Sequence, residues 1–227
     1  MVEGTGDVSA REHVLTRVRE ALRATAHARG GAGLPTTADR RRVLPAVGAT
    51  FDERVALFAM HAADLTATFI VLQDAGALTA ELCALRDAGG WKRVAAHRGE
   101  LAGGAARSLG LPILFTDDGY DTNDLERCDV GISECDALVA QTGSVVVTSR
   151  SAGGRALSCL PPHHVVIARR DQLVADLPAA FMVLSQKYGA GYPSMISFIT
   201  GPSRTADIER SLVLGAHGPK RLTIFMV

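Results

Sequence analysis

The sequence predicts an α/β fold in which a parallel-rich sheet is flanked by helices, preceded by an N-terminal helical arm. Three observations carry that prediction. From Phe51 onward, segments with helical periodicity alternate with short apolar runs such as 165–168, the pattern of strands joined by crossover helices. Short strands of this kind belong in a sheet covered by helices. A cluster of breakers, Gly30-Gly-Ala-Gly33-Leu-Pro35, separates the first helix from everything after it. With 227 residues the chain is long enough to bury a sizeable core.

Each element follows from local chemistry. Ser9 and Glu12 stand at capping-box spacing, and Val14, Leu15, Val18 and Leu22 recur at helical period, so a helix is predicted over 9–28. With the solvated run Arg40 to Arg42 it forms an arm and linker over 1–44, distinct from a body over 45–227. The arm's apolar stripe must pack on the body or on a partner subunit, which leaves a homo-oligomer open. In the body, helices are predicted over 52–65, 78–88 (stopped by Gly89-Gly90), 100–109, 177–187 and 205–214. Strands are expected at 68–72, 93–96, 113–116, 165–168, 195–200 and 222–227. Two more, 137–140 and 144–148, flank a Thr142-Gly143 turn and make one edge antiparallel.

Composition narrows the function. Hydrophobic residues make up 47% and charged residues 21%, which excludes disordered and fibrous classes. Lys+Arg and Asp+Glu are both 24, and that balance argues against nucleic acid or an anionic membrane as partner. The longest apolar stretch, 55–72, contains His61 and Asp64, so no membrane span is expected. Glu3 and Asp7 open a polar N-terminus without an apolar core, which predicts no signal peptide and a cytoplasmic location. Cys83, Cys128, Cys135 and Cys159 form no CxxC pair; buried thiols are expected, with no metal or iron–sulfur cofactor held by this chain.

The candidate chemistry lies in two segments. In 197–209 a strand is expected to end at Thr200, turn at Gly201-Pro202 and enter a helix near Ser203. A helix N-terminus beyond a strand's carboxyl end offers free N–H groups to a carboxylate, with Ser203, Arg204 and Thr205 as added donors. Asp207 and Glu209 in the same stretch also fit a plain helix cap, which needs no ligand. In 136–144, Gln141, Thr142, Gly143 and Ser144 crowd a turn where backbone N–H groups can face a ligand, or simply close a hairpin. Arg155, after Gly153-Gly154, either reaches the same crevice or is solvated. His163, His164 and His217 lack metal-ligand spacing, and no nucleophile elbow, P-loop or dinucleotide fingerprint is present.

The segments Gly201-Pro-Ser-Arg-Thr-Ala-Asp-Ile-Glu209 and Leu212-Val-Leu-Gly-Ala-His-Gly-Pro219, with Val130-Gly-Ile132, Thr142-Gly143, Arg155-Ala-Leu-Ser158 and Leu160-Pro161, resemble the LUD-domain family, in its lactate-utilization protein C (LutC/YkgG) branch. The resemblance extends more weakly from about Phe51 to the C-terminus. It implies a fold similar to the NagB/RpiA/CoA-transferase-like group. It also implies a part in oxidising L-lactate to pyruvate, beside LutA- and LutB-like proteins that carry the iron–sulfur clusters. Carried over by position, Thr142, Gly143, Arg155 and 201–209 are expected to line the crevice. Two departures stand out: Gln141 where an acidic residue is expected, and Glu134 where a small residue is usual, which makes Glu134 a substitute acid or base. A free-standing enzyme of the CoA-transferase-like or 5-formyltetrahydrofolate cyclo-ligase-like class, acting on an activated acid or folate, is the alternative by fold analogy.

Overall fold

In the computed structural model the described residues are 10–28, 46–205, 213–214 and 218–227. The chain divides into two compact units, Met1–Val43 and Leu44–Val227, each taken here by itself. The first contains helix α1, Ala10–Ala28; the expected cap Ser9 lies outside the described residues.

The second unit opens with α2, Phe51–Asp64, started by a capping box between Thr50 and Glu53 rather than by its apolar face. Strand β1 (Thr68–Val71) leads to α3 (Ala75–Gly89), which Asp74 caps and which ends on Gly90 at φ 62°. Gly90 takes the left-handed conformation that side chains resist. Next come β2 (Val94–Ala96), α4 (Glu100–Ser108) and β3 (Ile113–Phe115). A 3-10 turn, Thr116–Asp118, the short helix α5 (Thr122–Glu126) and strand β4 (Val130–Glu134) follow. Periodicity does not announce these three, because each is only three to five residues long. The rest of the body is β5 (Ala137–Val139), β6 (Ser144–Thr148), β7 (His163–Ala168), β8 (Leu173–Val174), α6 (Leu177–Tyr188) and β9 (Ile196–Ile199).

The expected helix at 205–214 is not formed at either end. Arg204–Thr205 is strand β10 and pairs antiparallel with β11, Val213–Leu214; residues 206–212, with Asp207 and Glu209, lie outside the described residues, as does His217. The chain closes with β12, Arg221–Met226.

A six-stranded, all-parallel sheet runs in the order β1-β12-β7-β4-β2-β3. A four-stranded sheet, β8-β5-β6-β9, is antiparallel except where β8 meets β5. The layers follow from alternation along each strand. On β7, Val165 and Ile167 face α3 and α4 in a cluster with Leu82, Ala102, Leu109 and Phe225. Val166 and Ala168 face the other way, onto Phe58 of α2 and Leu138, Val145 and Val147 of the small sheet. That sheet's outer residues, Ala137, Val139 and Val146, are covered by Ala180 and Leu184 of α6. The molecule's second unit is therefore a stack of helices, parallel sheet, small sheet with α2, and α6. The chain steps outward from β2 to the edge strand β3, then returns inward to β4 and on to β7. The strand order reverses between β2 and β4, the place where a crevice opens beyond the carboxyl ends of such strands.

Candidate functional site

A polar crevice of about 410 Å³ occupies that reversal, lined by residues that include His97, Arg98, Glu134, Arg150, Arg169 and Lys187. Three of them continue directly from strands: His97 follows β2, Glu134 ends β4, and Arg169 follows β7. An apolar strand holds its successor at a fixed height above the sheet, so buried strands place exposed chemistry without needing loops.

On the β2 side, the Glu134 backbone N–H donates to His97 Nε2 at 3.1 Å. Burial pushes the His97 pKa down against the opposing charges of Glu134 and Asp117. A neutral ring that accepts at Nε2 carries its proton on Nδ1. Glu134 turns its own carboxylate onto the start of α4, where Oε1 accepts from Leu101 N at 2.8 Å and Ala102 N at 3.1 Å. Helix α4 has Gly99 at its N-cap and no side chain capping it; Glu134 supplies the anion from another strand. A Cβ on Gly99 would overlap both the Glu134 carboxylate and the His97 ring. The substitute acid of the sequence is thus a helix cap.

On the other wall, Asp136 is buried to the point that its side chain is 0% exposed. Its Oδ2 accepts from Ser151 Oγ at 2.6 Å, and its Oδ1 from Lys187 Nζ and the Tyr188 hydroxyl, both at 2.7 Å. Thr148 ties the cluster together: its N–H donates to Ser151 Oγ at 2.9 Å, and its hydroxyl lies 3.0 Å from that of Tyr188. Burial would lower the Lys187 pKa, but the hydrogen bond and charge of Asp136 outweigh it and raise the pKa. The Tyr188 phenol is also raised, first by burial and then by Asp136. Cys135, in the same wall, is pushed far up by burial and the adjacent carboxylates, so it stays a thiol. Two further cations have carboxylate partners on the rim: Arg98 pairs with Asp118 and lies over Phe115, and Arg169 donates to Glu100 at 2.6 Å.

The residues singled out from the sequence lie elsewhere. Thr142 Oγ1, Ser144 Oγ and Thr200 Oγ1 form a chain with both links at 2.8 Å, so the two signature segments do meet. They meet at the end of β6 opposite Ser151, against α2. A Cβ on Gly143 (φ 63°) would lie 2.7 Å from His61 Cβ, and one on Gly201 (φ 86°) 3.0 Å from the Leu65 carbonyl oxygen. Both glycines permit close packing and a left-handed turn, a structural task. Gln141 is buried and its N–H donates to Ala175 O at 3.0 Å. Arg155 donates to Ser194 O at 2.7 Å rather than reaching the crevice. Ser203 N donates to Pro219 O at 3.0 Å, and with β10 in place of a helix, Arg204 and Thr205 do not form the expected helix N-terminus. The crevice residues had a signal in the sequence: a charged or imidazole side chain that ends an apolar strand, at 134, or immediately follows one, at 97 and 169.

Residues 118–227 match a family model described as the LUD domain. Lactate utilization protein C of Shouchella clausii is 42% identical over 103 residues, 45% of this chain and 45% of that protein. The protein of the same name from Geobacillus kaustophilus is 39% identical over 104 residues, 45% of this chain and 43% of that one. The matched region thus spans less than half the length of these relatives. A crystal structure of a DUF162 family protein from Deinococcus radiodurans superposes with a TM-score of 0.61 at 22% identity, covering 79% of this chain and 99% of that one. That likeness shows a shared fold.

Proposed function

From the match of residues 118–227 to the LUD-domain model and of 103 residues to a lactate utilization protein C, we propose that the chain belongs to that branch and serves lactate utilization as a non-redox component that binds a small carboxylate in the crevice. Oxidation of L-lactate to pyruvate removes two electrons, and the chain's residues supply acid binding and hydrogen bonding for that step. The electrons pass to iron–sulfur clusters on LutA- and LutB-like partner proteins in the cytoplasm. Among the described residues no helix is long and apolar enough to cross a membrane. The observation that carries the reading is the crevice itself: four cations, a neutral histidine and buried hydroxyls gathered at the strand-order reversal, where α/β folds bind ligands.

The test is an anaerobic pull-down of the tagged chain from its own host grown on L-lactate, assayed for iron and for lactate-dependent dye reduction. Co-purified iron with activity supports the reading. A colourless chain without activity overturns it and favours a free-standing enzyme of the CoA-transferase-like or cyclo-ligase-like class. The volume of about 410 Å³ supports that second reading, because it falls in the range of sites for ligands larger than a three-carbon acid. Turnover of an activated acid or a folate by the isolated chain would establish it.

A further inference from the structure

Two cations share one aromatic ring in the crevice wall. Lys187 Nζ lies 5.4 Å and the Arg150 guanidinium carbon 5.5 Å from the centroid of the Tyr188 ring. A ring face attracts a cation, but two like charges beside one ring repel unless an anion joins them. The carboxylate at hand, Asp136, is engaged with Lys187. Among the described residues Arg150 has no carboxylate partner, whereas Arg98 has Asp118 and Arg169 has Glu100.

We propose that Arg150 and Lys187, set over Tyr188 by Asp136, form the clamp that takes the carboxylate of an organic acid. This rests on the acid-binding reading of the crevice and assigns it residues. The charges around the clamp favour a singly charged ligand. Asp136, Asp118 and Glu100 match three of the four crevice cations, and among the described residues Arg150 lacks a carboxylate partner. Asp117 and Glu134 also line the crevice, so five carboxylates stand against four cations and a second negative charge on the ligand is opposed. A monoanionic carboxylate held at Arg150 is therefore repelled less than a phosphate dianion. Asp136 is a positioning residue: its three side-chain partners, Ser151, Lys187 and Tyr188, all line the crevice. Asp136 is fully buried but Lys187 is half exposed, and a partly solvated ion pair contributes little to stability, so an arrangement that directs all its bonds at one wall is best understood as setting that wall for a ligand.

Titrating the full chain by calorimetry with pyruvate, L-lactate and inorganic phosphate at fixed ionic strength tests the clamp. Pyruvate or lactate should bind more tightly than phosphate. Arg150→Ala and Lys187→Met should each weaken binding at least tenfold, with Arg150→Lys recovering part of it and the distant Arg127→Ala matching the unaltered chain. Asp136→Asn retains side-chain hydrogen-bonding groups but loses the charge. It should weaken binding severalfold and abolish the hydrogen-bonded ammonium signal of Lys187 in nitrogen-resolved NMR, a change that loss of stability alone would not produce in a chain with native circular dichroism. Equal affinities across the Arg150 and Lys187 variants, tighter phosphate binding, or no binding of any probe would each overturn the clamp. Adding Arg150→Ala to the anaerobic pull-down separates the two ideas. Full lactate-dependent activity in that variant sinks the clamp alone, and an inactive, iron-free unaltered chain sinks the lactate reading.

Discussion

The two ends of the six-stranded sheet are made by the same strands and treat polar groups in opposite ways. At the carboxyl ends, Asp136, Glu134 and Lys187 each have two or more hydrogen bonds or a charged partner. At the amino end, β7 begins with His163 and His164, both buried. His163 Nε2 meets Thr223 Oγ1 at 2.9 Å, and His164 Nε2 meets Ser133 Oγ at 2.8 Å. Both Nδ1 atoms are buried without a hydrogen-bond partner. Burial lowers the pKa to about 4 at His163, helped by Arg221, and to about 3 at His164, helped by His163. Burial away from any opposite charge neutralises His163 and His164, whereas the Asp136 carboxylate keeps the Lys187 ammonium charged and fixes its direction. The first suits an interior; the second suits a site.

The largest way to break this contrast is at Asp136. Asp136→Ala should cost about 4 kcal/mol in urea unfolding, because it strips a buried carboxylate from three donors. A loss below about 1 kcal/mol would mean that the wall is solvated and the partnership weak.

Acid probes the opposite end. The folded pKa values of His163 and His164 lie below the unfolded value near 6.5, so their contribution is present above that pH and is lost as pH falls toward about 4 and then about 3. Each then contributes a loss on the order of 3 kcal/mol. Unfolding free energies from pH 7 to 4 should show this fall, and His164→Gln should flatten it. A variant as acid-sensitive as the parent would place the proton uptake elsewhere.

Gly99→Ala sharpens the comparison at the carboxyl ends, since its Cβ displaces the Glu134 carboxylate from α4. We expect a loss of about 1–3 kcal/mol in thermal melts, against no change if Glu134 simply swings aside. The smallest effect belongs to Arg98→Ala, whose ion pair with Asp118 is exposed. It should move stability by less than about 1 kcal/mol, and a larger change would show that Phe115 depends on the guanidinium for cover.

Much of the fold is legible in residue order alone. The alternation from Phe51 onward, the stop at Gly90 and the hairpin around Thr142-Gly143 each depend on neighbours a few positions apart. Those are the distances over which periodicity and turn chemistry operate. At the two described ends of 205–214 strands stand where a helix is expected, for a related reason. Ser203-Arg-Thr205 fits a cap and also fits an extended strand, and its last two residues pair antiparallel with Val213–Leu214, eight to ten positions on, beyond the reach of a cap or turn rule. The signature glycines illustrate the same limit: their spacing is plain in the sequence, but that they seat against His61 and Leu65 of another segment is not.

By itself, then, the sequence determined the class of fold, the bounds of α4 and α6 to within one residue, and the family to which the chain is similar. Tertiary structure decided where the chemistry sits. His97, Glu134, Asp136, Arg150, Arg169 and Lys187 are scattered over ninety positions and no short-range rule links them. They converge because parallel strands joined by crossovers end on one side, and because the strand order reverses between β2 and β4 to leave that side open. Whether each is then a cap, a charge or a ligand clamp depends on the partners it meets there, and those partners are set by packing across the sheet rather than by neighbours along the chain.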